Sequence, residues 1–441
     1  MKCMTLLSLI LAGISLSGEE IFLQDSAPSA TRAFWTWNGT SLPQKNRNLS
    51  GKTIKIGTTE FPHGICGHTP FSNTYILNGL ADSFSAEIGA EATDHPKDPI
   101  LPNAPPPRIL FQFFADFKEI ANRECTLGDA PHPIRLNLHG VHHFEIRALA
   151  SGGRTSHRCR PALGNPVFHT ENPEALLQNL WKNSAQPFST PQYPEPPSLN
   201  GFNIQKTKWN NLVAYLIHTK NYELIITPEC GGRAVSFARP GGPNILAPLQ
   251  PFPRMEMLLT GGYPDITTGH FQRLNLCRPL LPDDATLETA PHTIEFSNNG
   301  EIITRSRKSI LHGITQEFRY KLLPDSVIVT SRIQNNSPFA RELEIWYLTR
   351  VDSSQLLSVK AGKRAIHSFN LNPEMEIPGE GEICAEFKDG TLFRLQPQNS
   401  VEKIKLFRSM RFTELEFLGI TKKISPNEWL NFSERWSISK K

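Results

Sequence analysis

At 441 residues the chain is too long for one average domain and suits two. Its composition, 39% hydrophobic, 9% aromatic and 20% charged, fits globular domains with real cores and excludes wholesale disorder. Net charge is +4, from 46 basic and 42 acidic residues mixed along the sequence, so no long basic run favours nucleic acid.

The first residues read as an address. Lys2 supplies a positive start, residues 6–14 are an apolar run, and Ser15-Leu16-Ser17 places small residues at the cleavage positions. That pattern predicts a secretory signal peptide over residues 1–18, too short to span a bilayer, with an N-terminal strand as the alternative. No later apolar run is long enough for a membrane helix, so the mature chain is expected to be secreted or periplasmic, off the membrane. Cys3 lies in the signal. The other six cysteines contain no CxxC pair, and either disulfides or buried thiols fit them.

Trp35 and Trp37 sit two apart and face one side of any strand, as a stacking platform for a sugar or as a core pair. Residues 94–108 carry six prolines and read as a long surface loop within the first domain. Ile134, Leu136 and Leu138, then Phe144, Ile146 and Ala148, alternate with period two. Between them His139, His142 and His143 invite a metal, but adjacent His142 and His143 point to opposite faces of a strand, and none is expected. Residues 172–183 are the best helix candidate: Asn172 can cap, Pro173 suits the first turn, and Leu176, Leu177, Leu180 and Trp181 share a face. The following stretch 187–197, PFSTPQYPEPP, reads as an extended linker.

In the second half, residues 293–304 and 386–395 read as hairpins around Asn299-Gly300 and Asp389-Gly390, dipeptides that favour tight turns with positive φ. Residues 327–333 and 343–348 read as strands flanking Asn335-Asn336-Ser337-Pro338. Hairpins in series, with 36 prolines, 29 glycines and little helix, predict an all-β fold of packed antiparallel sheets.

Two resemblances refine this. His63-Gly64-Ile65-Cys66-Gly67-His68-Thr69-Pro70, Phe84-Ser85-Ala86-Glu87-Ile88-Gly89 and Leu127-Gly128-Asp129-Ala130-Pro131 occur in the order found in the NPCBM family of carbohydrate-binding modules. Residues 21–168 resemble that family throughout, which implies a jelly-roll-like β-sandwich over about 19–170. Ser156-His157-Arg158-Cys159 departs from it, keeping a histidine but lacking the family's closing aspartate and tryptophan. Further on, Pro228-Glu229-Cys230-Gly231-Gly232-Arg233, Gly241-Gly242-Pro243-Asn244, Ile345-Trp346-Tyr347-Leu348-Thr349 and Ser433-Glu434-Arg435-Trp436 resemble a galactose-mutarotase-like domain of bacterial exported proteins. That implies a larger antiparallel β-supersandwich with a sugar-sized cleft over 201–441, joined through a short helix and proline-rich linker at 171–200.

Sugar recognition needs aromatic faces and bidentate polar groups. Arg233, after two glycines, offers a fork for a ligand, or a structural arginine bonding loop carbonyls. Mutarotase chemistry, which the second resemblance implies, uses a carboxylate base and a histidine acid. Glu434 with His270 or His312 are the candidates, and Glu434 beside Trp436 on one strand face is the best ligand contact. The glycine pairs lack P-loop or dinucleotide spacing, and no cofactor is expected. The expected function is an exported carbohydrate-binding protein whose partner is a glycan or polysaccharide. The alternative is a carbohydrate-active enzyme (epimerase, lyase or hydrolase) using the C-terminal cleft. Oligomeric state is left open.

Overall fold

A computed structural model describes residues 19–26, 28–33, 43–69, 71–92, 106–151, 160–184, 191–199, 201–247, 251–252, 265–266, 270–274, 285–288, 290–310, 312–367, 374–379, 381–408 and 412–441. The expected signal peptide, Trp35, Trp37, Cys159, Cys277, most of the first proline-rich stretch and the start of the second lie outside them. So does the side chain of His270. Among the described residues no helix is long and apolar enough to cross a membrane. The chain forms two compact units, with its main break between Ser184 and Ala185. Both are antiparallel β structures, as the alternation and turns predict.

In the first unit, one sheet runs in the order His132–Asn137, Ser83–Ala90, Pro161–Thr170, Gly64–Cys66, Gln44–Lys45, with Glu19–Phe22 also on Pro161–Thr170. A second runs Lys118–Thr126, Arg108–Ala115, His143–Ser151 and then Phe71–Ile76, of which Tyr75 and Ile76 belong to this unit. Alternate residues of each point inward and meet in an aromatic core. Phe84 and Phe168 come from the first sheet; Phe113, Phe144 and Tyr75 come from the second. Phe84 lies 5.2 Å from Phe144 and 5.7 Å from Phe168, centroid to centroid, and Tyr75 meets Phe168 edge-on at 5.4 Å. Each such pair contributes about 0.5–1.5 kcal/mol beyond its buried area. The helix Pro173–Lys182 starts as expected, with the Asn172 side chain accepting from Ala175 N at 3.0 Å. Leu176 and Leu180 are buried, but Trp181 is 53% exposed, because it lies past the edge of that face.

In the second unit, Asn203–Trp209, Leu212–His218, Glu223–Thr227 and Arg233–Ala238 form a four-stranded meander. A nine-stranded sheet runs Thr293–Ser297, Glu301–Arg305, Ile314–Leu323, Ser326–Asn335, Trp429–Lys440, Thr391–Pro397, Ile383–Phe387, Leu356–Ala361, Arg364–His367. A five-stranded sheet runs His270–Leu274, Ile345–Asp352, Phe412–Gly419, Val401–Arg408, Glu374–Pro378. One apolar cluster joins all three sheets, contributed by residues such as Tyr215, Phe237, Tyr320, Tyr347, Phe417 and Trp436. The end of the proline-rich stretch belongs to this unit. Tyr193 packs on the cluster, Pro194 O accepts from the Tyr215 hydroxyl at 2.6 Å, and Lys206 Nζ donates to Tyr193 O at 2.7 Å.

The two expected hairpins form, with a different turn. Each has a three-residue loop (298–300 and 388–390) in which glycine alone takes a positive φ, 79° at Gly300 and 81° at Gly390. Two-residue loops with both φ positive occur instead at Asp116-Phe117 and Asn210-Asn211.

Gly231 and Gly232 also sit at positive φ, 64° and 62°. A β-carbon on Gly232 would fall 2.4 Å from both His292 Nδ1 and Thr304 Oγ1, so glycine is needed for space as well as conformation. Gly241 has φ of 65° but open surroundings. Gly241→Ala is therefore expected to cost about 1–2 kcal/mol from backbone strain alone. Gly232→Ala adds an overpacking cost, about 2–5 kcal/mol in total. Urea midpoints of the two variants check this, and equal losses would contradict it.

Candidate functional site

Glu434 and Trp436 do share a strand face, and that face looks inward. Trp436 is fully buried, edge-on to Phe237 at 5.5 Å and Phe393 at 5.6 Å, and its indole N–H donates to Glu434 Oε1 at 2.5 Å. Glu434 is 1% exposed. Neither side chain offers a surface that a glycan could cover. The strand register places Tyr320, Val329 and Glu434 in one row across three neighbouring strands. From the five-stranded sheet the Tyr347 hydroxyl donates to Val329 O at 3.2 Å, and the Tyr320 hydroxyl donates to Gly232 O at 3.0 Å. The interior of this unit thus contains a line of polar groups rather than hydrocarbon alone.

Arg233 begins its strand at the Gly-Gly turn and is 2% exposed. Its charge bears on buried Tyr320 and on His292, whose pKa is pushed down to about 3 by burial first and Arg233 last. His312 is 7% exposed in the connection before Ile314–Leu323, its N–H bonded to Ser309 Oγ and its carbonyl to Arg341. His270 pairs through its backbone with Thr349 in the five-stranded sheet. Arg233 and Glu434 thus belong to one interior, while His312 lies in a separate connection with its own partners.

The densest chemistry lies elsewhere, on the face of the five-stranded sheet turned away from the core. Tyr347, Leu415, Phe417, Ile404 and Leu406 point into the apolar cluster. Their neighbours Trp346, Arg350, Glu414, Glu416 and Lys405 must therefore share the opposite face. Register sets Glu376, Lys405, Glu416 and Leu348 in one row and Phe407, Glu414 and Arg350 in the next.

The contacts are specific. The Trp346 indole N–H donates to Glu416 Oε2 at 2.7 Å, and Arg350 Nε donates to Glu414 Oε1 at 2.7 Å. The Arg350 guanidinium lies 4.2 Å over the Phe412 ring, and Lys405 Nζ lies 5.3 Å from the Trp346 ring while pairing with Glu376 at 2.9 Å. Burial, then the charge of Glu414, pushes the Glu416 carboxyl well above the usual range. Glu414 and Glu416 stand two residues apart on Phe412–Gly419 and so share this face. Glu414 is paired with the Arg350 guanidinium, which approaches it to 2.6 Å. Glu416 (2% exposed), Glu414 (6%) and Arg350 are buried, while Trp346 and Lys405 are half-buried beside them, so two carboxyls with an aromatic ring and two cations could move a proton where a ligand reaches them.

The sequence marked Trp346 only as part of a strand and passed over Glu414 and Glu416. The available signal was Glu-x-Glu inside the apolar strand Phe412–Gly419: two acids on one face of a strand whose other face is core. A pocket of about 610 Å³ lies apart from this cluster, lined by Gly379, Gly381, Gln396, Gln398 and Ser400, with Glu382 its one carboxylate. On the outer face of the nine-stranded sheet, Glu317 is held by Arg305, Arg319 and Arg332 at 2.6–2.9 Å. Burial works to raise its pKa, yet the three guanidinium groups outweigh it and hold the carboxylate low, the mark of a structural clamp.

Residues 20–160 match the family model described as the NPCBM/NEW2 domain. No curated protein matches the chain in sequence. Among solved structures, a CBM51 module of Clostridium perfringens in complex with methyl-galactose is 16% identical, over 34% of this chain and 99% of its own, with TM-score 0.28. Another Clostridium perfringens structure, of CBM51-2 and INT domains, is 14% identical over 34% of this chain and 32% of its own, TM-score 0.29. A galactose mutarotase-like protein of Clostridium acetobutylicum is 11% identical over 55% of this chain and 99% of its own, TM-score 0.37.

The interior carboxyl has a measurable signature. Burial pushes Glu434 from 4.5 up to about 8, with the Trp436 bond working the other way. Between those values the folded chain holds a proton that the unfolded chain has released. Its contribution is complete below the window and is lost as pH rises through it. Glu434→Gln keeps the indole bond and cannot ionise. Urea stability of the wild type should therefore fall relative to Glu434→Gln by about 2–4 kcal/mol between pH 5 and 8. A difference that does not change with pH would contradict the buried acid.

Proposed function

We propose that this chain, whose residues 20–160 match the NPCBM/NEW2 domain, is an exported glycan-binding protein acting on extracellular or periplasmic polysaccharide. The family match carries the reading. The apolar run at residues 6–14 with small residues behind it supports export. A signal at 1–18, a binding module over 19–170, a helix and proline-rich connection over 171–200 and a larger sugar-facing domain over 201–441 make up the chain. Two modest sites on one chain would add avidity on a repeating polymer.

A second reading is favoured by one observation, the Glu414–Glu416 pair. In a carbohydrate-active enzyme, the Glu414 carboxylate would take the proton of an anomeric hydroxyl while Glu416, whose burial favours its protonated form, gives its own to the ring oxygen. The ring C–O bond breaks to leave the open-chain aldehyde. Reclosure on the other face returns both protons and yields the other anomer. Lys405 and Trp346 would hold the sugar in place. This assigns the chemistry to Glu414 and Glu416 instead of Glu434, His270 and His312.

A glycan array probed with the intact chain, together with NMR of freshly dissolved α-aldoses, separates the readings. The binding reading predicts retention of at least one polysaccharide and anomer exchange no faster than buffer. Exchange accelerated by the chain and lost in Glu416→Gln would establish the enzyme. No retention of any glycan would defeat the binding reading.

A further inference from the structure

We infer that the first unit binds its glycan at the end of the sandwich where residues 77–82, 116–117 and 138–143 meet, with the ring of Phe117 as the platform for a neutral sugar. The inference rests on the glycan-binding reading and adds a place and a ligand class to it.

The starting observation is a residue in the wrong conformation. The loop between Arg108–Ala115 and Lys118–Thr126 has two residues, since Ala115 pairs with Lys118. Both take positive φ, 49° at Asp116 and 69° at Phe117. Such turns favour Asn-Gly or Asp-Gly, because a side chain at the second position crowds the backbone. Among the described residues the other loop of this kind, Asn210-Asn211, is filled by residues that tolerate it. A large aromatic is the least suited occupant, and it does not offset its strain by entering the core. The inward positions of these strands are taken by Phe111, Phe113 and Phe144, while Phe117 stays half-buried at the tip.

The surroundings hold the ring still. Phe117 lies against the imidazole of buried His143, ring centres 4.1 Å apart and tilted 31°. Asp116 Oδ1 accepts from the N–H groups of His142 and His143 at 3.1 and 2.9 Å, and Asp116 N donates to His143 O at 2.7 Å. The neighbouring turn is tied to the same loop: Leu77 N donates to His142 O at 2.8 Å and Gly79 N to Val141 O at 2.9 Å. Asn78 Nδ2 donates to Asn179 Oδ1 at 2.8 Å, fastening the helix Pro173–Lys182 beside it. Three loops thus form one rigid floor, and a preorganised platform loses little entropy on binding.

The rim offers what hydroxyls need. His142 is exposed, and His139 Nδ1 lies 3.5 Å from Asp82 Oδ1 with its side chain 83% exposed. These stretches contain three histidines, two aspartates, an asparagine and a phenylalanine, with exposed Lys118 next in the chain after Phe117. A sulfated or uronic sugar would meet two carboxylates against the single ammonium of Lys118, with no guanidinium fork in these stretches to receive it. An uncharged pyranose, stacking its C–H face on Phe117 and sharing hydroxyls with the imidazoles and carboxylates, fits the charge.

The strain supplies an unusual test, because relieving it should help folding while harming binding. The intact chain, Phe117→Gly, Phe117→Leu and Phe117→Tyr are passed over beads carrying neutral galactosides, glucosides and N-acetylhexosaminides, and their urea midpoints are measured. Phe117→Gly should unfold at the same or a higher urea concentration than wild type, yet retain glycan at least tenfold less. Phe117→Leu, which lacks a ring face, should lose retention equally, and Phe117→Tyr should keep it within about twofold. Wild-type retention that survives both Gly and Leu would overturn this site while leaving the glycan reading intact. Loss in Phe117→Tyr would overturn the platform. No wild-type retention on any of these beads would overturn the neutral-sugar assignment, and failure on every acidic polysaccharide as well would overturn the glycan reading itself.

Discussion

The register of two long antiparallel strands, Ser326–Asn335 and Trp429–Lys440, is the constraint on which the second unit depends. It sets Val329 opposite Glu434, Val327 opposite Trp436 and Arg332 opposite Asn431. A slip of one residue would carry Arg435 and Asn431 inward and turn Trp436 and Glu434 out to water. Both faces resist that slip. Inside, the indole–carboxyl bond and the packing of Phe237 and Phe393 on Trp436 form only in this register. Outside, Arg305, Glu317 and Arg332 fall in line across three strands, so the carboxylate clamp forms in the same register.

From that frame follows the arrangement of the five-stranded sheet, which is used on both faces. Tyr347 reaches Val329 across the interior, while its neighbour Trp346 points the other way to Glu416. Burying two glutamates on that outer face costs several kcal/mol unless they are paired. Arg350 answers Glu414, and a retained proton answers Glu416. Glu434 keeps its proton for the same reason as Glu416, burial, with the Trp436 indole donating to it. Buried acids in one domain thus reach opposite ends of the scale, Glu317 held ionised by three guanidinium groups and Glu416 and Glu434 held protonated by burial.

Much of the fold was legible in the sequence because local rules and tertiary packing agree. The alternation at 134–138 and 144–148, the Asn172-Pro173 helix start and the Gly-Gly-Arg turn appear where the residues place them. Turn type was less legible. Asn299-Gly300 and Asp389-Gly390 suggested two-residue turns, and the strand pairing added a third residue that let glycine alone take the strained φ. Asp116-Phe117 gave no warning, since its strain is offset by contacts with His142 and His143 from another strand. The candidate site was legible in residue type and illegible in direction. Glu434 beside Trp436 looked like a ligand contact because spacing reports that two side chains share a face, not which face is buried. Glu414 and Glu416 were hidden by the converse: acids in an apolar strand read as its solvent side.

Glycan binding by the first unit is tested most directly by hydrogen exchange of the intact chain, with and without a retained neutral glycan. Protection should concentrate at the amides of residues 77–79, Asp116, His142 and His143, whose bonds to backbone carbonyls and to the Asp116 carboxylate already tie the loops together. Unchanged exchange at those amides, with protection confined to the second unit or absent throughout, would contradict it.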